Sequence, residues 1–278
     1  TTKPENLQCI CAVNRHKIYS NILHFFDVCA TITSLLKYSD EVTIMIRVTI
    51  FNEFMHEQTD EEVKKIYPHG IHREIADFLR SDEIIVRTVT EYDENQTLMP
   101  NCGITDELLD DTDVIIWWGH MRHNEVPDEV AKKIHERVLR GMGAIFLHSA
   151  HHSKPFKSLM GTTCNLKWRD DEKERLWIIN PSHPIMQGVD GEYFDLEQEE
   201  MYGERFDIPN PDDVLMIGTY GSHEVFRSAC TWQRGLGKVF YLQPGHEAYP
   251  TYRNENIRKI IKNAVKWAHS EYKVSALI

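Results

Sequence analysis

The chain alternates short apolar runs with segments whose apolar residues recur at helical spacing. The apolar, β-branched runs predict strands at 48–52, 84–89, 113–118, 144–147, 175–179, 214–219, 224–228 and 238–242. Apolar residues spaced three and four positions apart predict helices at 70–79, 128–139, 155–159 and 256–268. Strands that alternate with helices are typical of a largely parallel sheet with right-handed crossovers. The pattern therefore predicts one α/β domain built on a mostly parallel central sheet.

The first 44 residues lack this alternation and form a separate N-terminal extension of uncertain status. Met45 opens the first clear strand and resembles a start of translation. The extension is either an additional helical segment or a stretch upstream of the true start; we favour the second interpretation and assign it no function. We place the α/β domain at residues 45–270 and a short C-terminal tail at 271–278.

Composition limits the kinds of partner that the protein can bind and the compartment in which we expect it. A net charge of −12 argues against nucleic-acid or anionic-membrane partners, since both require a basic surface. No apolar stretch approaches the roughly 20 residues that a membrane-spanning helix needs. The six cysteines show neither metal-ligand nor disulfide-framework spacing, so we expect reduced thiols and a cytoplasmic location. No phosphate-binding or dinucleotide-binding motif follows the first strand.

Four of the 15 histidines follow predicted strands. His148 comes directly after the run at 144–147, and His56, His120 and His246 come within a few residues of three other runs. Ligands of open α/β sheets bind outside the carboxyl ends of the parallel strands, so these imidazoles are expected to meet in one crevice. This repetition suggests a metal site or an acid–base site, which a single histidine would not.

Two of these histidines have informative neighbours. At His148 and Ser149 a strand turns abruptly into a helix, as in a nucleophile elbow, although Ser149 could instead cap the helix. His246 is followed by Glu247, which suits either a base with an orienting partner or two metal ligands. The alternative is a loop histidine beside a solvated carboxylate.

Other charged segments carry weaker signals. Glu53 and His56 have metal-ligand chemistry but could belong to a polar loop. The acidic run 196–204 could supply a carboxylate for proton transfer, or it could be a solvated face. Residues 167–175 suggest an exposed connection, and 234–238 suggest a hairpin turn.

Several motifs together resemble the ThuA-like family, which is named for trehalose utilisation, over about residues 46–269. They are NEFMHE at 52–57, IYPHGIH at 66–72, WWGH at 117–120, LRGMG at 139–143, LHS at 147–149, LMGT at 159–162, EEMYGE at 199–204 and PGHEAYPTY at 244–252. The resemblance implies a fold like that of class I glutamine amidotransferases: a flavodoxin-like three-layer sandwich with a mostly parallel central sheet.

The amidotransferase comparison also bears on activity. In that fold the elbow carries a nucleophilic cysteine, and His148 occupies the corresponding position here. An imidazole cannot form the thioester that glutamine hydrolysis requires, so glutaminase activity is not expected. The family usually has glycine two residues after this histidine, where this chain has Ala150. If that position needs a positive φ, alanine costs about 1 kcal/mol.

The family resemblance implies a metal-dependent enzyme of sugar catabolism that isomerises or cleaves 3-keto glucosides. We expect a divalent metal, zinc first, with manganese, iron or nickel open. The expected ligands are His120, His148 and His246, with His56 as a further candidate. The expected catalytic carboxylates are Glu53, Glu199 and Glu247. The expected substrate-binding residues are Ser149, His151, Glu200, Tyr202 and Tyr252. The partner would be a small sugar, and the protein a homo-oligomer.

Two alternatives come from different functional classes. In one, Ser149 is the nucleophile, His246 the base and Glu247 the orienting group of a metal-free hydrolase. In the other, the protein binds a sugar in the same crevice without catalysis.

Overall fold

The computed structural model describes residues 45–275, and the predicted N-terminal extension lies outside the described residues. Within them, nine strands form one sheet in the order β2-β1-β3-β4-β9-β8-β7-β5-β6. The strands are β1 (Ile46–Asn52), β2 (Ile84–Thr90), β3 (Val114–Trp118), β4 (Gly143–Leu147), β5 (Lys167–Ile178), β6 (Tyr193–Gly203), β7 (Asp213–Tyr220), β8 (Val225–Arg234) and β9 (Gly237–Leu242).

Helices cover both faces of the parallel part of this sheet. They are α1 (His56–Thr59), α2 (Glu61–Ile66), α3 (Ile71–Leu79), α4 (Asp106–Asp110), α5 (Asp128–Leu139), α6 (Lys154–Met160) and α7 (Glu255–Ala268). Ile116 of β3 belongs to the core formed with α3 and α7, whereas Ile115 and Trp117 belong to the core formed with α5 and α6. Successive strand residues point to opposite faces, which is why β3 is apolar throughout. None of the described helices has the length and apolar character needed to cross a membrane.

The prediction of a mostly parallel, flavodoxin-like sheet is wrong. Strands β2, β1, β3, β4 and β9 pair in parallel through four pairings. The other four pairings, which join β9 to β8, β8 to β7, β7 to β5 and β5 to β6, are antiparallel. Strands β5 to β8 lie between β4 and β9 in the chain, and a tight turn at Arg234–Gly237 joins β8 to β9. Such a turn can join only antiparallel strands.

Two segments of this antiparallel half form strands that the sequence pattern does not predict. Residues 167–175, predicted to be an exposed connection, form most of β5, and the acidic run at 196–204 lies almost wholly in β6. Their mixed charges hid the strand character because one face of this sheet extension is open to solvent. Its other face contributes the buried apolar residues, such as Leu176 and Leu196.

The parallel strands end in register. Asn52 of β1 pairs with Trp118 of β3, Trp118 pairs with Leu147 of β4, and Leu147 pairs with Leu242 of β9. These are the last residues of their strands, so the four loops that follow start side by side at one edge of the sheet. Each of these loops carries one of the four histidines singled out above.

Candidate active site

The loops after β1, β3, β4 and β9 meet the end of β6 around a cavity of about 650 Å³. His56, His120, His246, Glu247 and Glu200 line it. The ring centroids of His120, His148 and His246 lie 5.1–6.0 Å apart, so the structure brings the three imidazoles together.

His148 is fully buried at the end of β4. Its backbone has φ 53°, in the left-handed region, whereas Ala150 does not have a positive φ. The strain expected at Ala150 is therefore absent, and the unusual backbone lies at His148 itself. The ring Nδ1 donates a hydrogen bond to the carbonyl oxygen of Gln243, 2.9 Å away. The ring also stacks on Tyr202, with centroids 5.2 Å apart.

The other ring nitrogen of His148 faces a carboxylate. Because Nδ1 carries the proton, Nε2 of the neutral ring presents a lone pair. Oε2 of Glu200, buried in the same place, lies 3.0 Å from Nε2. Burial by itself lowers the pKa of His148, but the hydrogen bond and charge of Glu200 outweigh it and raise that pKa. The position therefore demands a positive charge between the two atoms, either a proton or a metal ion.

Glu247 contacts two of the histidines. Its Oε1 lies 2.7 Å from Nδ1 of His56 and 2.9 Å from Nδ1 of His120. Burial opposes ionisation, but the hydrogen bonds from His120 and His56 outweigh it and hold the pKa of Glu247 well below its usual range. The carboxylate is thus ionised at neutral pH. Its Oε2 is buried and has no hydrogen-bond partner among the described residues.

His246 differs from His148 in its tautomer. The backbone N–H of Ala248 donates to Nδ1 of His246 at 3.1 Å, so the neutral ring carries its proton on Nε2. Burial lowers the pKa of His246 to about 4, although the nearby Glu247 acts in the opposite direction. At neutral pH His246 is therefore an uncharged N–H donor beside the cavity.

Two groups of ligand atoms are close enough to hold a metal ion. One comprises His120, His148, His246 and Glu200, and the other comprises His56, His120 and Glu247, with the ligand atoms of each group within 4.8 Å of one another. The sequence predicts His56 as a further ligand beside the first three histidines. In the structure His56 belongs to the second group, and Glu200, expected to bind substrate, joins the first.

Two of the three expected catalytic carboxylates lie behind the cavity wall. Oε2 of Glu53 accepts three successive backbone N–H groups at 120–122, at 2.7–2.9 Å. Glu199 accepts the backbone N–H groups of Gly245 and His246 at 2.9 and 3.0 Å, and the hydroxyl of Thr251 at 3.0 Å. Both carboxylates therefore fix the loops that carry histidines, and of the three only Glu247 lines the cavity.

The expected substrate-binding residues divide in the same way. Ser149, His151, Glu200 and Tyr202 line the cavity, whereas Tyr252 is fully buried behind it. The hydroxyl of Ser149 donates to the carbonyl oxygen of Gly119 at 2.6 Å. Among the described residues no hydrogen bond joins Ser149 to His246, so the serine–histidine pair of the metal-free alternative is not assembled.

Comparison with known proteins identifies the family. The sequence profile of the ThuA family, described as "Trehalose utilisation", matches residues 47–268. The chain belongs to the ThuA family. This confirms the family resemblance found in the sequence and links the protein to trehalose utilisation. A comparison with curated protein sequences gives no match.

Solved structures with the same fold include other ThuA-like proteins. One from Bacteroides uniformis has 15% sequence identity and a TM-score of 0.60, covering 85% of this chain and 96% of that one. One from Parabacteroides merdae has 14% identity and a TM-score of 0.57, covering 84% and 93%. A Salmonella typhimurium protein described as cytoplasmic has 14% identity and a TM-score of 0.54, covering 81% and 100%. At these identities the comparison establishes the fold alone.

Residues on β5, which the sequence predicts to be an exposed connection, complete the cavity of this ThuA protein. Trp168, Asp170 and Asp171 line it, together with Tyr249 from the loop after β9. Tyr249 belongs to the motif at 244–252, so the family resemblance is the only feature of the sequence that points to it. A tryptophan within a run of charged residues was the one signal available for β5.

A buried polar network supports His148 from behind. The hydroxyls of Tyr220 and Ser228 lie 3.0–3.1 Å from both Oε1 of Gln243 and Oε1 of Glu174. Gln243 is the residue whose backbone carbonyl accepts from His148. Burial raises the pKa of Glu174 to about 8, so its carboxyl group is largely neutral at pH 7. The network thus orients His148 without adding a second buried charge.

This pKa makes stability depend on pH. The pKa of Glu174 is higher in the folded chain than the ordinary value of 4.5. The contribution of its protonated carboxyl group to the stability of the fold is therefore complete below about pH 4.5. That contribution is lost as the pH rises through about 8. We expect Glu174→Gln to be more stable than the wild type at pH 8.5, by on the order of 5 kcal/mol, and to lack this advantage at pH 4.5.

Urea denaturation of the metal-free protein at several pH values measures this difference. Glu197→Gln on the neighbouring strand is the matched control, since that side chain is exposed. A constant difference between Glu174→Gln and the wild type at all pH values would contradict the raised pKa.

Proposed function

We propose that this ThuA-family protein is a metal-dependent enzyme that isomerises or cleaves 3-keto glucosides in trehalose utilisation. One observation carries the proposal: Nε2 of His148 and Oε2 of Glu200, both buried and both electron-pair donors, lie 3.0 Å apart. A divalent cation would satisfy both atoms, whereas a metal-free site must keep a buried imidazolium.

The donor set fits a catalytic zinc site. Zinc enzymes commonly use three protein ligands and leave one position open. We assign His120, His148 and Glu200 as these ligands. His120 donates Nδ1–H to Glu247, and His148 donates Nδ1–H to a backbone carbonyl, so both present Nε2. Such partners behind metal-binding histidines fix the ring and its tautomer. Manganese, iron and nickel suit the same mixture of nitrogen and oxygen ligands.

The remaining groups suit proton chemistry at a ketone. A divalent metal at this site would polarise the carbonyl oxygen of the substrate. His246, neutral and with its proton on Nε2, donates a hydrogen bond to a substrate oxygen, as a neutral imidazole can in other isomerases. Glu247 is ionised, and its free Oε2 accepts the proton from the carbon next to the ketone.

Metal removal tests the proposal directly. We expect the purified full chain to contain about one zinc, manganese, iron or nickel ion, measured by inductively coupled plasma mass spectrometry. Turnover of 3-keto-trehalose should stop after dialysis against EDTA and return when the metal is added back. Turnover that persists in a metal-free sample would favour the Ser149 hydrolase. Tight sugar binding without turnover, in the metal-loaded protein, would favour a binding protein.

A further inference from the structure

The wall of the cavity opposite the histidines is formed by β5 and β6, and it contains a β-bulge. Trp168 of β5 pairs directly with Tyr202 of β6. A few residues on, Asp170 and Asp171 together oppose the single residue Glu200. Two residues against one define a bulge, which re-aims side chains and is common beside active sites.

Trp168 lies close to the metal ligands but faces open space. Directly opposed residues of antiparallel strands project to the same face of the sheet. The indole is therefore on the side of Tyr202, whose ring stacks on His148. Trp168 lines the cavity, yet 62% of it is exposed. A large aromatic surface left open beside buried polar groups is typical of a wall that a ligand covers.

The bulge brings two carboxylates to the same wall. Asp171 has φ 63° and accepts a hydrogen bond from the hydroxyl of Tyr249. Asp170 has no such partner among the described residues. Burial and the charge of Glu200 raise the pKa of Asp170, which is consistent with its position beside that carboxylate. Asp170 is thus free to accept hydrogen bonds from a ligand.

The charge of the cavity restricts that ligand. Four carboxylates line it, and among the described residues its lining contains neither lysine nor arginine. The carboxylates are Asp170, Asp171, Glu200 and Glu247. They outnumber the two charges of a divalent cation, so a phosphorylated or carboxylated sugar would be repelled.

We propose that Trp168 and Asp170 form a subsite for a second, uncharged pyranose ring of a glycoside whose first ring lies at the metal ligands. The inference rests on the proposed function, which places a keto sugar beside His120, His148 and Glu200. Trp168 packs against the apolar face of the second ring, and Asp170 accepts from its hydroxyl groups. The cavity of about 650 Å³ falls within the range of small-molecule sites and has room for two rings. The substrate is then a neutral disaccharide-like glycoside and not a sugar phosphate.

Calorimetric titration of the zinc-loaded full chain with α,α-trehalose and with trehalose 6-phosphate tests this subsite. We expect the phosphorylated sugar to bind at least about tenfold more weakly. Trp168→Ala should weaken trehalose binding about tenfold, and Asp170→Asn about threefold, with the zinc content unchanged. Trp177→Ala is the matched control on the same strand: it packs on Tyr193, is 37% exposed and does not line the cavity.

Equal weakening by Trp168→Ala and Trp177→Ala would overturn the subsite, as would equal affinity for the two sugars. Zinc uptake without measurable trehalose binding would also overturn it, while leaving the metal centre of the proposed function intact. Trehalose binding that depends on Trp168 in a chain that takes up no metal would support the subsite and refute the metal centre instead. Melting temperatures of both tryptophan variants check that the fold is retained.

Discussion

Replacement of His148 by alanine is expected to remove the metal ion and the activity together. His148 supplies one of three proposed ligands, and its ring is fixed on both sides, by Gln243 and by Tyr202. Changing a residue that merely supports a metal ligand commonly costs 10- to 100-fold, so loss of a ligand should cost more than about 100-fold in metal affinity and in kcat/KM. Metal analysis and steady-state kinetics on the same sample measure both losses.

The neighbouring serine provides the control for this prediction. The Ser149 hydroxyl donates to the Gly119 carbonyl, so Ser149→Ala should leave the metal in place and reduce kcat/KM by no more than about tenfold. The opposite ranking, with Ser149→Ala inactive and the wild type free of metal, would identify Ser149 as a nucleophile.

A cysteine at position 148 probes the relation to amidotransferases. A thiolate can still bind zinc, so His148→Cys should retain part of the metal. We expect no release of ammonia from glutamine by this variant, because the cavity is lined by carboxylates and imidazoles. Measurable ammonia release would contradict that description of the cavity.

The convergence of histidines could be predicted because it depends on strands that the sequence marks clearly. Strands β1, β3, β4 and β9 are covered on both faces, so each is a largely apolar run whose end the sequence marks. Parallel pairing in register then places those ends side by side, and His120, His148 and His246 follow them. No information about the intervening chain is needed for this step.

The choice between Glu199 and Glu200 could not be made in the same way. Adjacent residues of β6 point to opposite faces, so a shift of one residue in register exchanges their roles. Glu200 faces the bulge in β5 and lines the cavity, whereas Glu199 points to the loop at 245–246. That register depends on antiparallel pairing and on a bulge, and neither feature appears in the apolar pattern. The same reason explains why the fold class was wrong for β5 to β8.

Replacement of Glu247 by glutamine is expected to reduce turnover strongly while the metal remains bound. The amide oxygen of glutamine can still accept the Nδ1–H groups of His120 and His56, so His120 keeps its orientation. The amide nitrogen that replaces Oε2 cannot accept a proton. Loss of a general base typically lowers the rate by about 10²- to 10⁴-fold, and we expect kcat to fall within that range.

Glu247→Ala separates proton transfer from ligand orientation. Alanine removes both oxygens, so His120 loses the carboxylate that fixes its tautomer, and metal affinity should fall about 10- to 100-fold in addition to the loss of turnover. Glu247→Gln should lose turnover but keep its metal affinity. Titration of both metal-free variants with zinc measures the difference in metal affinity. A Glu247→Gln variant with wild-type kcat would mean that Glu247 only orients His120. The proton acceptor would then be sought at Asp170, whose carboxylate also lines the cavity and has no hydrogen-bond partner among the described residues.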